Sequence, residues 1–192
     1  MTEQKPRRSK RLNHVERVDL KLARAVGLNR RKKSERWIGR FADIGDQPPM
    51  MGVSLATLAV GLASRSPRLR RTGLRMVAAH VIATAGKTVV KNLVDRTRPR
   101  ALASKSYRLK KGRSEDSELR SMPSGHSAGA VALAGAIGED FPGATPAAAA
   151  GAALIAGAQL PVRNHYLSDV AAGVLLGLAA SIAARKLVPA AA

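Results

Sequence analysis

The sequence predicts an all-α protein, a polytopic membrane helix bundle of about five transmembrane helices preceded by an interfacial amphipathic helix. Three observations predict it. Charge collects in blocks, and between the blocks lie five long runs that are almost free of it. Those runs are built from Ala, Val, Leu and Gly, with aromatics at only 3% of the chain, and the fourth and fifth offer almost none of the polar face of a soluble helix. The formal charge of +20, from 33 Lys+Arg against 13 Asp+Glu, sits mainly in the N-terminal segment and in two connections. The absence of cysteine excludes disulfides, thiol nucleophiles and Cys-bound zinc.

The first segment, residues 1–46, is read as basic and interfacial. Residues 1–41 hold 14 Lys/Arg and 4 Asp/Glu and no apolar core of a secretory signal. Val15, Val18, Leu22 and Val26 recur at helical spacing, as do Trp37, Ile38, Phe41 and Ile44. Basic residues fill the other faces, a pattern that suits helices lying on anionic lipid headgroups, with Trp37 and Phe41 at headgroup depth.

The second segment, residues 47–192, is read as the transmembrane domain. Its five runs are Gln47–Ser64, Met76–Val94, Ser121–Gly138, Phe141–Val162 and Val170–Ala184. Several fall near the lower length limit for a span, about 17 residues. Gly173 and Gly177, four apart in the last run, permit close helix contact. The connection Arg96–Met122, with nine basic and three acidic residues among Gly, Ser and Pro, reads as a mobile loop.

Polar residues at the ends of such helices are costly and need a reason. Three clusters stand out: Lys91 with Arg98-Pro99, Pro123-Ser124-Gly125-His126, and His165 with Asp169. If the second to fifth runs cross a bilayer, all three clusters converge on one face. Lys91 and Arg98 suit phosphate oxygens. Ser124, Gly125 and His126 open a helix, where free amides and the dipole favour an anion. Two histidines can divide phosphoryl transfer, one attacking phosphorus and the other protonating the departing oxygen. Asp169, one helical turn after His165, can hold its imidazole in one tautomer. No carboxylate cluster calls for a metal.

In order and spacing, Lys91-x6-Arg98-Pro99, Pro123-Ser124-Gly125-His126 and His165-x3-Asp169 resemble the three signature motifs of the type 2 phosphatidic acid phosphatase (PAP2) superfamily. The resemblance covers about residues 47–187. It implies a metal-independent lipid phosphatase without cofactor, acting on a phosphate or diphosphate of phosphatidic acid or polyprenyl type through a phosphohistidine. It implies that His165 is the nucleophile, Asp169 orients it, and His126 is the general acid and then base. Lys91, Arg98, Ser124 and Gly125 would cradle the phosphate. One departure stands out: the third motif of the family begins with Arg six residues before the histidine, and here that residue is Gln159. Arg163 is expected to reach the same phosphate from another backbone position.

The expected location is the inner membrane, multi-pass, with the site on the cytoplasmic face by the positive-inside rule. The expected partners are the lipid substrate and anionic headgroups. Nucleic acid is not expected, because the basic segment has little aromatic interleaving and no nucleic-acid motif. A weakly active binder of phospholipid headgroups and a lipid phosphotransferase are the alternatives at the same site.

Overall fold

Capping residues and prolines set where the helices start. In the computed structural model, residues 12–26 and 36–190 are described, and of residues 36, 39, 41 and 42 the backbone alone. The expected headgroup position of Phe41, and the parts of the basic segment at 1–11 and 27–35, lie outside the described residues or side chains.

Helix α1 (His14–Val26) opens on a reciprocal cap: Asn13 Oδ1 accepts from the Glu16 amide at 2.8 Å, and Glu16 Oε2 accepts from the Asn13 amide at 2.7 Å. Val15, Val18 and Val26 are exposed on one side, while Glu16, Asp19, Leu20 and Ala23 are buried against the rest of the protein. The short α2 (Arg36–Asp43) follows, with Trp37 exposed. Helix α3 (Gln47–Ala63) starts with two prolines in its first turn.

Helix α4 (Pro67–Leu93) is longer than its apolar run. Ser66 caps it by accepting from the Leu69 amide, and Pro67 begins it, so four of the five arginines in residues 64–75 (Arg68, Arg70, Arg71 and Arg75) fall in its first three turns. Two of those arginines are neutralised at the end of α5 (Gly125–Asp140): Asp140 Oδ1 accepts from Arg71 Nε at 2.6 Å and Arg75 Nη1 at 2.8 Å. Arg75 Nε also donates to the Val188 carbonyl just after α7 (Leu167–Leu187). One buried carboxylate therefore ties together the ends of three helices.

Between α5 and α7 lies α6 (Thr145–Ala158). Helix α5 packs against α4, α6 and α7, and α3 packs on α4. The core among them is mostly alanine, with Met76, Leu133 and Met50 as its larger members. Small residues make that closeness possible. A Cβ at Gly173 would stand 2.4 Å from the Ser124 carbonyl oxygen, and one at Gly177 would stand 2.6 Å from that of Ala128. The Gly173–Gly177 pair thus seats α7 directly on the backbone of α5.

The connection read as a mobile loop is instead folded. Strand β1 (Val94–Arg96) pairs antiparallel with β2 (Leu109–Lys111), and the Arg98 amide donates to the Glu118 carbonyl at 2.8 Å. Its polar composition reflects pairing with itself and with α1 rather than solvation. Five helices stand where five runs were expected. Among the described residues, one of them, Leu167–Leu187, is long and apolar enough to cross a membrane.

Candidate active site

Three helix ends meet at one end of the bundle: the last turns of α4, the first turn of α5 and the turn before α7. Their meeting is fixed by backbone, since the Ser124 amide donates to the Asp169 carbonyl at 3.0 Å. The result is a polar cup of about 150 Å³. Lys87, Lys91 and Arg98 form its cationic wall, Gly125, His126 and His165 its other side, and Gly45, Asp46 and the first residue of α3, Gln47, its rim.

Lys87 and Lys91 share one face of α4, four residues apart. Lys91 Nζ donates to the Arg120 carbonyl. Arg98 is held by two carbonyls, Ser117 at 3.0 Å from Nε and Asn164 at 3.2 Å from Nη1. The cup thus concentrates three cations with few carboxylates to neutralise them. Gly125 makes room for one of them, because a Cβ there would stand 2.7 Å from Lys87 Cδ.

The two imidazoles face each other across this space, with ring centroids 6.3 Å apart and planes inclined by 61°. His126 Nε2 lies 2.8 Å from Asp46 Oδ1, an ion-pair distance without hydrogen-bond alignment. His165 is buried, and burial holds its pKa down to about 4 despite the opposing pull of Asp169. Its ring is therefore neutral near pH 7. His165 Nδ1 points at Asp169 Oδ2, 3.8 Å away, which leaves Nε2 as the nitrogen available for attack.

Asp169 is fully buried and held on both oxygens. Oδ2 accepts from Ser121 Oγ at 2.5 Å and from the Tyr166 amide at 2.9 Å, and Oδ1 accepts from Arg96 Nη1 at 2.6 Å.

Of the residues expected from sequence, His126, His165, Lys91, Arg98 and Gly125 line the cup, and Asp169 stands directly behind His165. Ser124 lies beneath the first turn of α5, where its hydroxyl accepts from the amide and hydroxyl of Ser127. Arg163 lies outside the lining, in a left-handed backbone conformation (φ 58°), and its carbonyl accepts from the Arg100 amide. Gln159 is buried beside it. Its side-chain oxygen accepts from Asn164 Nδ2 at 3.1 Å, and its carbonyl accepts from the Asn164 and His165 amides, so Gln159 braces the turn that carries His165.

Asp46, Arg96 and Asp19 escaped the sequence reading outright, as did Gly45 and Gln47 on the rim. Asp46 sat in a basic segment with no motif around it. Asp43, Asp46 and His126 have ligand atoms within 4.8 Å of one another, with both carboxylates exposed.

The model of the PAP2 superfamily matches residues 72–192. The fold is similar to the crystal structure of a transmembrane PAP2-type phosphatidylglycerolphosphate phosphatase from Bacillus subtilis, with a TM-score of 0.68 and 19% identity over 92% of this chain and 87% of that one. No curated protein matches the chain.

Proposed function

The chain belongs to the PAP2 superfamily, and on that basis we propose that it is a metal-independent phosphatase acting on a lipid phosphate or diphosphate. The observation that carries this reading is the opposed pair of imidazoles, 6.3 Å apart over a cup walled by Lys87, Lys91 and Arg98. A phosphoryl group in that cup meets cations on one side, a nucleophile on another and a proton donor opposite.

The steps follow from the groups present. The neutral His165 Nε2 attacks phosphorus in line, forming a P–N bond as the P–O bond to the lipid breaks. The Nδ1 proton faces Asp169, which steadies the positive charge growing on the ring. Lys87, Lys91, Arg98 and the free amides of the first turn of α5 hold the charge on the equatorial oxygens. His126, in its protonated form with Asp46 at ion-pair distance, gives its proton to the leaving alkoxide. It then takes a proton from water as that water attacks the phosphohistidine, releasing phosphate and restoring both rings.

The lipid is of phosphatidic acid or polyprenyl type, or the phosphatidylglycerolphosphate of the structural neighbour. Five spans in the inner membrane, with the cup on the cytoplasmic face, accord with the basic N-terminal segment and the basic connection flanking it. Residues 1–46 form the interfacial part and 47–192 the catalytic part, with Asp19 and Asp46 of the first reaching into the second.

The test is phosphate release by the purified protein in detergent, with EDTA present, across a panel of these lipids. Release that survives chelation and is lost in both His165→Ala and His126→Ala supports the reading. Release retained at the unmodified protein's rate in either variant removes the assigned roles.

A further inference from the structure

Helix α1 does more than cover the bundle. Asp19, 2% exposed, receives a bond from Arg96 Nη2 at 2.7 Å. The other terminal nitrogen of the same guanidinium bonds Asp169 at 2.6 Å. Arg96 is thus a buried cation shared by two carboxylates, one on α1 and one behind His165. Ser168 closes the arrangement: its hydroxyl donates to Asp19 Oδ2 at 2.5 Å and accepts from Arg96 Nη1 at 2.7 Å, and its amide donates to Asp19 Oδ1 at 3.1 Å. The guanidinium also lies 4.3 Å over the ring of Tyr166.

The geometry has a direction. Arg96 holds Oδ1 of Asp169 while Ser121 Oγ and the Tyr166 amide hold Oδ2, and together they fix the carboxylate with Oδ2 facing His165 Nδ1. A planar guanidinium gripped at one end by Asp19 can hold the other end at a fixed angle. An isolated cation buried beside Asp169 would be held less firmly and at greater desolvation cost.

We infer that Asp19 and Arg96 are positioning residues for the phosphoryl-transfer step, acting through Asp169 to orient the His165 imidazole. The inference rests on reading His165 as the nucleophile. It makes α1 a part of the catalytic machinery, since without it Arg96 loses half of its charge partners. Neither residue touches the cup, so substrate binding is not their task.

The experiment measures kcat and KM for lipid phosphate hydrolysis by the full chain carrying Asp19→Asn, Arg96→Gln or both, with inorganic phosphate inhibition reporting an intact cup. Misplacing a catalytic group by about 1 Å can cost about 100-fold in rate, so Arg96→Gln is expected to lower kcat by about that factor. KM and phosphate inhibition should stay within about twofold, because the cup is untouched. Asp19→Asn should lower kcat in the same way, and the double variant should lose no more than Arg96→Gln alone. Asp19→Glu should recover part of the loss. If Asp19→Asn does not fold, Ser168→Ala, which removes one link from the same cluster, should show the same split in milder form. Unchanged kcat in the folded variants, additive losses in the double variant, or a fall confined to KM would overturn the inference. An active Asp19→Asn beside an inactive His165→Ala would sink it while leaving the phosphatase reading intact. An active His165→Ala would sink the reading itself.

Discussion

The His126 and His165 rings lie 6.3 Å apart by centroid and incline at 61°, although they belong to different helices and different motifs. One phosphorus atom between them is in reach of both, and their environments separate their tasks. His165 is buried with a carboxylate behind it, while His126 has Asp46 at 2.8 Å on the rim.

That separation predicts different failures. His165→Ala should abolish the covalent intermediate, seen as loss of acid-labile radiolabel after a brief reaction with labelled lipid phosphate. His126→Ala should be labelled only slowly from the lipid phosphate, with turnover reduced by about 10²–10⁴. Its deficit should shrink on an aryl phosphate, whose leaving group needs no proton.

The pH response of His165 follows from its burial. Its pKa lies near 4, below the ordinary imidazole value, so the ring stays neutral as pH falls from 7 to 5 and gains a proton only below that. A titration of 13C-labelled histidines in detergent, with His165 assigned by its absence in His165→Ala, should show its resonance still unmoved at pH 5.5. A midpoint at 6 or above would contradict the burial argument.

The place of the missing motif arginine can be located by comparing two variants. Lys87 lines the cup and Arg163 does not. Lys87→Met should weaken substrate binding by about 10- to 100-fold, the range for losing a charged hydrogen bond. Arg163→Gln should stay within about twofold. The reverse order, read from KM on one lipid substrate, would assign the compensating cation to Arg163.

At the far end of the bundle, Asp140→Asn should cost stability rather than chemistry. It strands Arg75, which is buried and bonded to that carboxylate, and a broken buried pair is worth about 3–5 kcal/mol. Thermal unfolding in detergent should fall markedly, while KM at low temperature stays unchanged.

The motifs were legible because each is local. Lys91, His126 and His165 sit at helix ends that hydrophobic runs mark in one dimension, and their convergence follows from alternating chain direction. The partners Asp19, Arg96 and Asp46 were not legible. An acid in a strongly basic stretch looks like a solvated counter-charge until the fold buries it, and nothing near Asp19 in sequence points to Asp169. The Asn13-x-x-Glu16 spacing that caps α1 carries no sign of where that helix docks. The Arg96–Met122 connection was misread because Gly, Ser and Pro serve a paired hairpin as well as a mobile chain. Helix lengths were approximate for a related reason: Ser66-Pro67 starts α4 ahead of its apolar run, and the Gln159–Asn164 turn shortens α6.

The single amide-to-carbonyl bond from Ser124 to Asp169 joins the starts of α5 and α7 a few atoms from both histidines. With Gly173 seated against the carbonyl of that same Ser124 residue, the two helices cannot slide past one another without breaking a backbone contact at the place where the rings attach. A displacement of either helix would therefore carry the other with it as one rigid unit, and the spacing between the two rings would be kept.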